Sequence, residues 1–340
     1  RGLGDVYKRQ AWSAGRVQTP TLTMLVDREM EVLAHVPKPY WRVTATFEHE
    51  GLSYEGTWFD PEFKADAEDP DRKDDRIFDE ARAQAIKDGI VGQPATADET
   101  RKPSKETAPP LFDLTSLQRE ANRRFSWSAR RALSAAQRCY ERHKILTYPR
   151  TDSRCLPEDY RDTVAETLSK LAAGGDHEDE AFAEYARSAA HLQQAGLENE
   201  KRTFDNKGIS DHFAIVPTGT IPVEPLTGDD KRLFDLVTRR FLGNFHPPAQ
   251  WERVERVSHV GDERFRTRAR FLKEPGWRSV LAESEEETEA TPLPPLAPGE
   301  AAATGVAVRP LEAENHEEQT KPPARITEAR LLSLMENAGK

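Results

Sequence analysis

The stretch Leu146-Thr147-Tyr148-Pro149-Arg150-Thr151-Asp152-Ser153-Arg154 sets a phenol at the end of an apolar, strand-like run, with a guanidinium two residues beyond it. In extended backbone, residues two apart share a face, so Tyr148 and Arg150 fall on one side. A phenol ionises near about pH 10 and is a weak nucleophile at neutral pH unless cations stabilise the charge it develops. Arg150 supplies such a cation, and its planar fork suits two hydrogen bonds to a phosphate. Thr151, Asp152 and Ser153 then offer side-chain caps for a following helix start, a place where backbone N–H groups bind anions.

Upstream of this stretch the text is helical. Leu114, Leu117, Ala121 and Phe125 form one stripe, Ser126-Trp127-Ser128 makes a turn, and a second helix points Leu133, Ala136, Cys139 and Tyr140 inward. Two helices, a tight turn and the strand-like 145–148 suggest a helix-turn-helix or winged-helix arrangement. Downstream, 156–200 reads as acidic, Ala-rich helix broken at Gly174-Gly175, and 228–243 as one more helix. Strand-like text lies on both sides. Residues 40–59 alternate, with Trp41, Val43, Ala45 and Phe47 on one face and a turn at Gly51, and 251–281 reads as twisted strands. From Ala11 a helix is expected, with Ser13 as cap and Leu22, Leu25, Val26, Met30 and Leu33 at helical spacing. Another over 327–337 has Thr327 as cap and Gly339 as stop. Residues 60–76 and 283–299 read as loops, and 1–10 as a foreign or disordered start.

The chain has 340 residues and a formal charge of −10, from 59 acidic and 49 basic residues, which taken alone argues against a nucleic-acid partner. Distribution reverses that reading. Residues 111–154 hold ten Lys/Arg against four acids, a net of +6, whereas 155–205 nets −7. A basic helical pair is the footprint expected of phosphate neutralisation. No apolar run is long enough to span a bilayer, and no phosphate-binding GxxxxGK[ST] loop occurs, which disfavours a membrane role and ATP chemistry. Cys139 and Cys155 fit neither a zinc spacing nor a disulfide framework, which points to a reducing compartment.

Two further stretches share the chain with the first: Ser13–Leu22 (SAGRVQTPTL) and Ser210–Thr218 (SDHFAIVPT). His212 in the second can hydrogen-bond a phosphate oxygen or move a proton. Together and in this order, the three stretches resemble the type IA DNA topoisomerases, with wording closest to the bacterial topoisomerase III branch. Tyr40-Trp41, Leu111–Glu120 and Thr320–Pro323 extend the resemblance over nearly the whole chain. Phe213 stands where that branch usually has a second His.

The resemblance implies an α+β multidomain, toroidal arch. A β-rich domain is expected from 37–110 and 222–312, with a helical, winged-helix-like domain at 111–221 carrying the active Tyr. The flanking pieces 11–36 and 313–340 would belong to one helical shoulder, and hinges are expected near 109–111 and 219–223. Tyr148 would attack a single-stranded DNA phosphodiester, Arg150 would stabilise the scissile phosphate, and His212 matches the family's active-site histidine. Arg16 and Gln18 match the groove-lining GRVQ segment. Gln137 and Glu141 match helix residues facing the site, and Thr151, Asp152 and Ser153 would hold the Tyr loop and touch DNA. Mg²⁺ is expected on a TOPRIM domain that does not match here. Asp69-Pro70-Asp71 is formally DxD but reads as charged loop, so no metal ligand is expected in this chain and no ATP is used. The chain alone is expected to bind single-stranded DNA weakly and not to complete relaxation. The implied setting is a monomer in the cytoplasm, nucleoid-associated, with single-stranded DNA as substrate and a helicase or single-strand-binding protein as companion. A non-enzymatic DNA-binding module is the rival reading. A Tyr recombinase is less apt, because its His-x-x-Arg precedes the Tyr.

Overall fold

A computed structural model describes residues 15–67, 69–177, 179–222, 225–281, 293–296 and 302–337. Residues 1–10, the Ser13 cap, the Gly339 stop and most of the 283–299 loop lie outside them. Six antiparallel strands close into a barrel in the order β1-β2-β5-β4-β3-β6. They are β1 (Pro39–His49), β2 (Leu52–Trp58), β3 (Ala95–Glu106), β4 (Ala249–Val260), β5 (Glu263–Glu274) and β6 (Ala303–Gln319). Alternation along β1 buries Val43, Ala45 and Phe47, as expected, and Phe47 packs at 5.5 Å against both Tyr54 and Phe265. Helix α2 (Glu80–Ile90), capped by Asp79, adds Ala83, Ile86 and Ile90 to the same core. Among these apolar groups sits an ion pair: Arg256 and Glu99 are 0% and 1% exposed, with Arg256 Nε donating to Glu99 at 2.9 Å.

Beyond the closed part, β3, β4 and β5 continue as a three-stranded ribbon. Strand β3 meets β6 only over 95–99, and β2 meets β5 only at Thr57 and Trp58. Pro103 sits on the resulting free edge of β3, where the N–H it lacks has no ladder partner to serve. The ribbon leads into the helical domain. There α3 (Leu114–Phe125), α4 (Ala129–Glu141), α5 (Arg161–Ala173), α6 (Glu180–Ala195), the single turn α7 (Glu200–Thr203) and α8 (Gly228–Asn244) are found. The two site-bearing helices have strong caps: Asp113 forms a reciprocal capping box with Ser116, and Ser128 accepts from Arg131 N. The inward stripe of α4 is Ala132, Ala135, Ala136 and Cys139; Leu133 and Tyr140 are only half-buried, a correction that matters for the site.

Two expected boundaries move. Helix α8 buries Leu233, Phe234, Val237 and Phe241 in the helical core, so the chain crosses back to the barrel at Pro247-Pro248 and not near 219–223. Gly276-Trp277 stitches this crossing to the outgoing one. Trp277 N–H donates to the Pro247 carbonyl and Nε1–H to the Glu106 carbonyl, and a Cβ on Gly276 would lie 2.5 Å from the Pro247 oxygen. Strand β6 runs unbroken past residue 313, pairing with β1 as far as Gln319 opposite Pro39, so the barrel takes in residues placed with the shoulder by the sequence.

The flanking helices differ in packing. Helix α1 (Gln18–Ala34) has no buried residue, and its stripe residues Leu22, Met30 and Leu33 face solvent; Arg325 pairs bidentately with Glu29 and tethers it. Helix α9 (Glu328–Glu336), capped by Thr327, docks on the α3–α4 pair. Glu328 accepts from Ala129 N at 2.7 Å, and Glu336 takes Arg119 and Arg154.

One buried histidine in the helical domain gives a stability prediction. His246 is 6% exposed, hydrogen-bonded to Ser188 at 2.8 Å and stacked on His191. Burial, with a smaller push from His191, lowers its pKa to about 4. The unfolded chain therefore takes up this proton first, and stability present above about pH 6.5 is lost as pH falls toward 4. Comparing urea midpoints at neutral and mildly acid pH, His246→Gln is expected to flatten the acid slope by about 3 kcal/mol at most.

Candidate active site

Pro149 restricts the residue before it to extended backbone, which fixes how Tyr148 leaves the 145–148 run. That run is not a full strand. A single bridge joins Leu146 to Pro217, and Thr147 does most of the fastening. Thr147 N–H donates to the Val216 carbonyl at 3.0 Å, while its hydroxyl donates to the Ala214 carbonyl and accepts from Val216 N–H, both at 2.9 Å. Thr218 donates to the Ile145 and Lys144 carbonyls at one end, and Thr151 Oγ1 donates to the His212 carbonyl at 2.7 Å at the other. The two motif stretches, more than sixty residues apart, are thereby laced together.

The lacing sets the His212 ring 4.5 Å from the Tyr148 ring, at 53°. On the other side Tyr140 meets Tyr148 edge-on at 5.4 Å, and Lys144 Nζ lies 5.7 Å from the Tyr140 ring. Tyr148 is half-buried and His212 exposed, and the Tyr148 hydroxyl has no hydrogen-bond partner among the described residues. Tyr140 and Lys144 are the residues that sequence reasoning missed. Tyr140 stands in the last turn of α4 and Lys144 three residues past its end, and their closeness in the chain to Tyr148 was a readable signal. Gln137 and Glu141 share the helical face of Tyr140, half-buried and exposed respectively, and neither side chain has a hydrogen-bond partner among the described residues.

The remaining predicted residues divide by burial. Arg150 is exposed and has no ion-pair partner among the described residues. Asp152, also exposed, accepts from Ser210 Oγ at 2.8 Å. Thr151 and Ser153 are buried, and their hydroxyls are spent on the loop; Ser153 Oγ donates to the Gly208 carbonyl at 2.7 Å. They position the loop and have little surface left for a ligand. No helix starts at 152–155 either: the next helical turn is Glu158–Tyr160, and the Thr151 carbonyl instead accepts from Leu114 N–H at the start of α3. Arg16 and Gln18 lie exposed at the beginning of α1 and make no hydrogen bond to the Tyr148 cluster. Phe213, in place of a second histidine, packs on Tyr160 at 4.8 Å.

The basic character of 111–154 is smaller in space than in sequence. Six of the ten bases are ion-paired, and Arg131, Arg138 and Arg154 reach Asp229, Asp230 and Glu336, which lie outside the segment. Counting those three acids lowers the local +6 to +3. Arg130, Arg142 and Arg150 are the arginines left without a partner among the described residues. Two cavities of about 620 Å³ lie elsewhere, and neither includes Tyr148. The Tyr148 cluster reaches the surface, with His212, Arg150 and Asp152 exposed beside the half-buried Tyr148.

A sequence model of the DNA topoisomerase family matches residues 3–339. DNA topoisomerase 3 of Bacillus subtilis (strain 168) is 34% identical over 344 residues, covering 99% of this chain and 43% of that protein. DNA topoisomerase 3 of Shouchella clausii is 36% identical, covering 95% and 41%. The solved structure of full-length topoisomerase I from Thermotoga maritima superposes with a TM-score of 0.65 at 25% identity, over 97% of this chain and 49% of that one. The chain thus spans less than half the length of these relatives.

Proposed function

Since the chain belongs to the DNA topoisomerase family, in its type IA branch, we propose that it supplies the nucleophile of an ATP-independent, strand-passing enzyme. Tyr148 Oη attacks the phosphorus of a single-stranded DNA phosphodiester. The Oη–P bond forms as the P–O3′ bond breaks, the phenol proton leaves, and O3′ takes up a proton. The products are a 5′-phosphotyrosine and a free 3′-OH. One phosphate ester has replaced another, so the 3′-OH reverses the step without a high-energy cofactor. Arg150 holds the non-bridging oxygens, and His212 hydrogen-bonds the phosphate or carries the phenol proton. Tyr140, with Lys144 against its own ring, packs on the Tyr148 ring and helps to orient it. Asp152, Gln137, Glu141, Arg16 and Gln18 border the strand, while Thr151 and Ser153 act through the loop.

The observation that carries this reading is the laced Tyr148–His212 pair beside an arginine with no ion-pair partner among the described residues. The Mg²⁺ implied by the family does not fit here: among the described residues no group of three or more His, Cys, Asp or Glu is placed to hold a metal. Asp69 and Asp71 are engaged by Lys38. Relaxation or decatenation of DNA, a cytoplasmic, nucleoid-associated setting, a monomeric state and work beside a helicase or single-strand-binding protein belong to the same proposal.

The test is a covalent adduct trapped with detergent on single-stranded DNA and mapped to Tyr148 by mass spectrometry, in a full-length enzyme carrying this chain. Arg150→Gln is expected to lower adduct yield by about a hundredfold, the scale of losing one charge-stabilising donor. It should leave the urea midpoint within about 0.5 kcal/mol of wild type, because Arg150 is exposed and unpaired. Equal adduct yields would remove Arg150 from the chemistry.

A further inference from the structure

The β3–β4–β5 ribbon carries an arrangement that folding alone does not favour. In register, Lys102 stands directly opposite Arg253, and Arg253 directly opposite Arg270. Three cations thus form one row across three strands, with neighbouring Cβ atoms about 5 Å apart, where like charges destabilise a sheet. The next rung shows the ordinary solution: Thr100, Glu255 and Arg268 lie in register, and Arg268 pairs with Glu255 at 2.8 Å. In the cationic row only Arg270 is compensated, by Glu106 at 2.7 Å. Lys102 and Arg253 are exposed and have no ion-pair partner among the described residues.

The row lines an open groove of about 620 Å³, separate from the Tyr148 cluster. Ser104 lines the same groove one rung on, and its hydroxyl is buried without a hydrogen-bond partner. Trp251, in register with Ser104, is no platform for a base, because it is 3% exposed and lies under Arg270 at 3.5 Å. The groove therefore offers point charges and a hydroxyl, the contacts made to phosphate oxygens and not to base edges. It is open, as a polymer needs, and its strands run directly into the domain that bears Tyr148.

From this we infer that the Lys102–Arg253–Arg270 row is a second nucleic-acid contact, holding a sugar–phosphate backbone without reading its sequence. The choice of nucleic acid over a free anion rests on the topoisomerase reading above. Anionic phosphates relieve the repulsion that the free ribbon carries.

The test is the salt dependence of binding, by fluorescence anisotropy, of the 340-residue chain to labelled oligothymidylate and to a duplex of equal length. Lys102→Gln with Arg253→Gln is expected to weaken binding to at least one probe about tenfold or more and to flatten its log–log salt slope by about 1.4 on the single strand or about 1.8 on the duplex. Thermal melting should not fall, since a like-charge contact is removed. Arg253→Glu, which sets an acid between Lys102 and Arg270, is expected to raise the melting temperature and weaken binding further. Unchanged slopes on both probes would overturn the inference, as would loss of inorganic phosphate binding in the double variant with the slopes unaltered. Tyr148→Phe leaves these slopes untouched, so failure of the groove and failure of the nucleophile assignment read out separately.

Discussion

Tyr148→Phe in a full-length enzyme carrying this chain is expected to abolish the covalent DNA adduct while leaving folding and DNA binding in place. The substitution removes one oxygen, and that oxygen has no hydrogen-bond partner among the described residues. The ring contacts to Tyr140 and His212 do not need it, and Thr147 still fastens the segment to 214–216. Melting is thus expected within about 0.5 kcal/mol of wild type. The other phenol of the cluster, Tyr140, lacks the His212 contact that Tyr148 makes, so adduct yield should fall by about three orders of magnitude or more, as when other covalent enzymes lose their nucleophile. Single-stranded DNA affinity should change less than about twofold, because the substitution removes no cation. A non-enzymatic DNA-binding module predicts no adduct in either protein. An adduct that survives in the Phe variant would place the nucleophile elsewhere.

Glu99→Ala is expected to be the most destabilising single change in the barrel. It strips Arg256, which is fully buried, of its carboxylate, leaving the Pro294 carbonyl and the Tyr54 ring as neighbours; Arg256 Nη1 already lacks a partner. Breaking a buried pair from one side costs about 3–5 kcal/mol, because the remaining charge stays desolvated. Arg101 suffers less, since Glu252 still holds it at 3.0 Å. Removing both charges, as Glu99→Leu with Arg256→Met, is expected to recover most of the loss. Urea denaturation of the three proteins measures this, and a double variant as unstable as the single one would show that the pair is not the cause.

These two predictions sit at opposite ends of what the sequence discloses. Tyr148, Arg150 and His212 stand out in short motifs because the role proposed for each needs a particular residue type next to a particular neighbour. The barrel pair is not legible. Glu99 and Arg256 lie in strands dense with Glu and Arg, and only the register, which sets Glu99 opposite Arg256, separates a buried pair from its solvated neighbours. Strand β3 itself is illegible for the same reason: Thr-Arg-Lys-Pro-Ser-Lys carries little apolar alternation, and its place is decided by β4. Helix α2 had readable signals, an Asp79 cap and Ala83, Ile86 and Ile90 at helical spacing.

Local sequence, then, determined the helices, the first hairpin and the identity of the chemical groups, because caps, periodicity and residue type act over a few positions. Tertiary structure decided which groups are available. The +6 of residues 111–154 is a true count, yet six of its ten bases are held by carboxylates, some delivered by α8 and α9, so Arg150 counts because no described residue pairs with it. The domain borders followed the same rule. Helix α8 joined the helical core and β6 ran on beside β1, because burial and strand pairing are settled by partners distant in the chain.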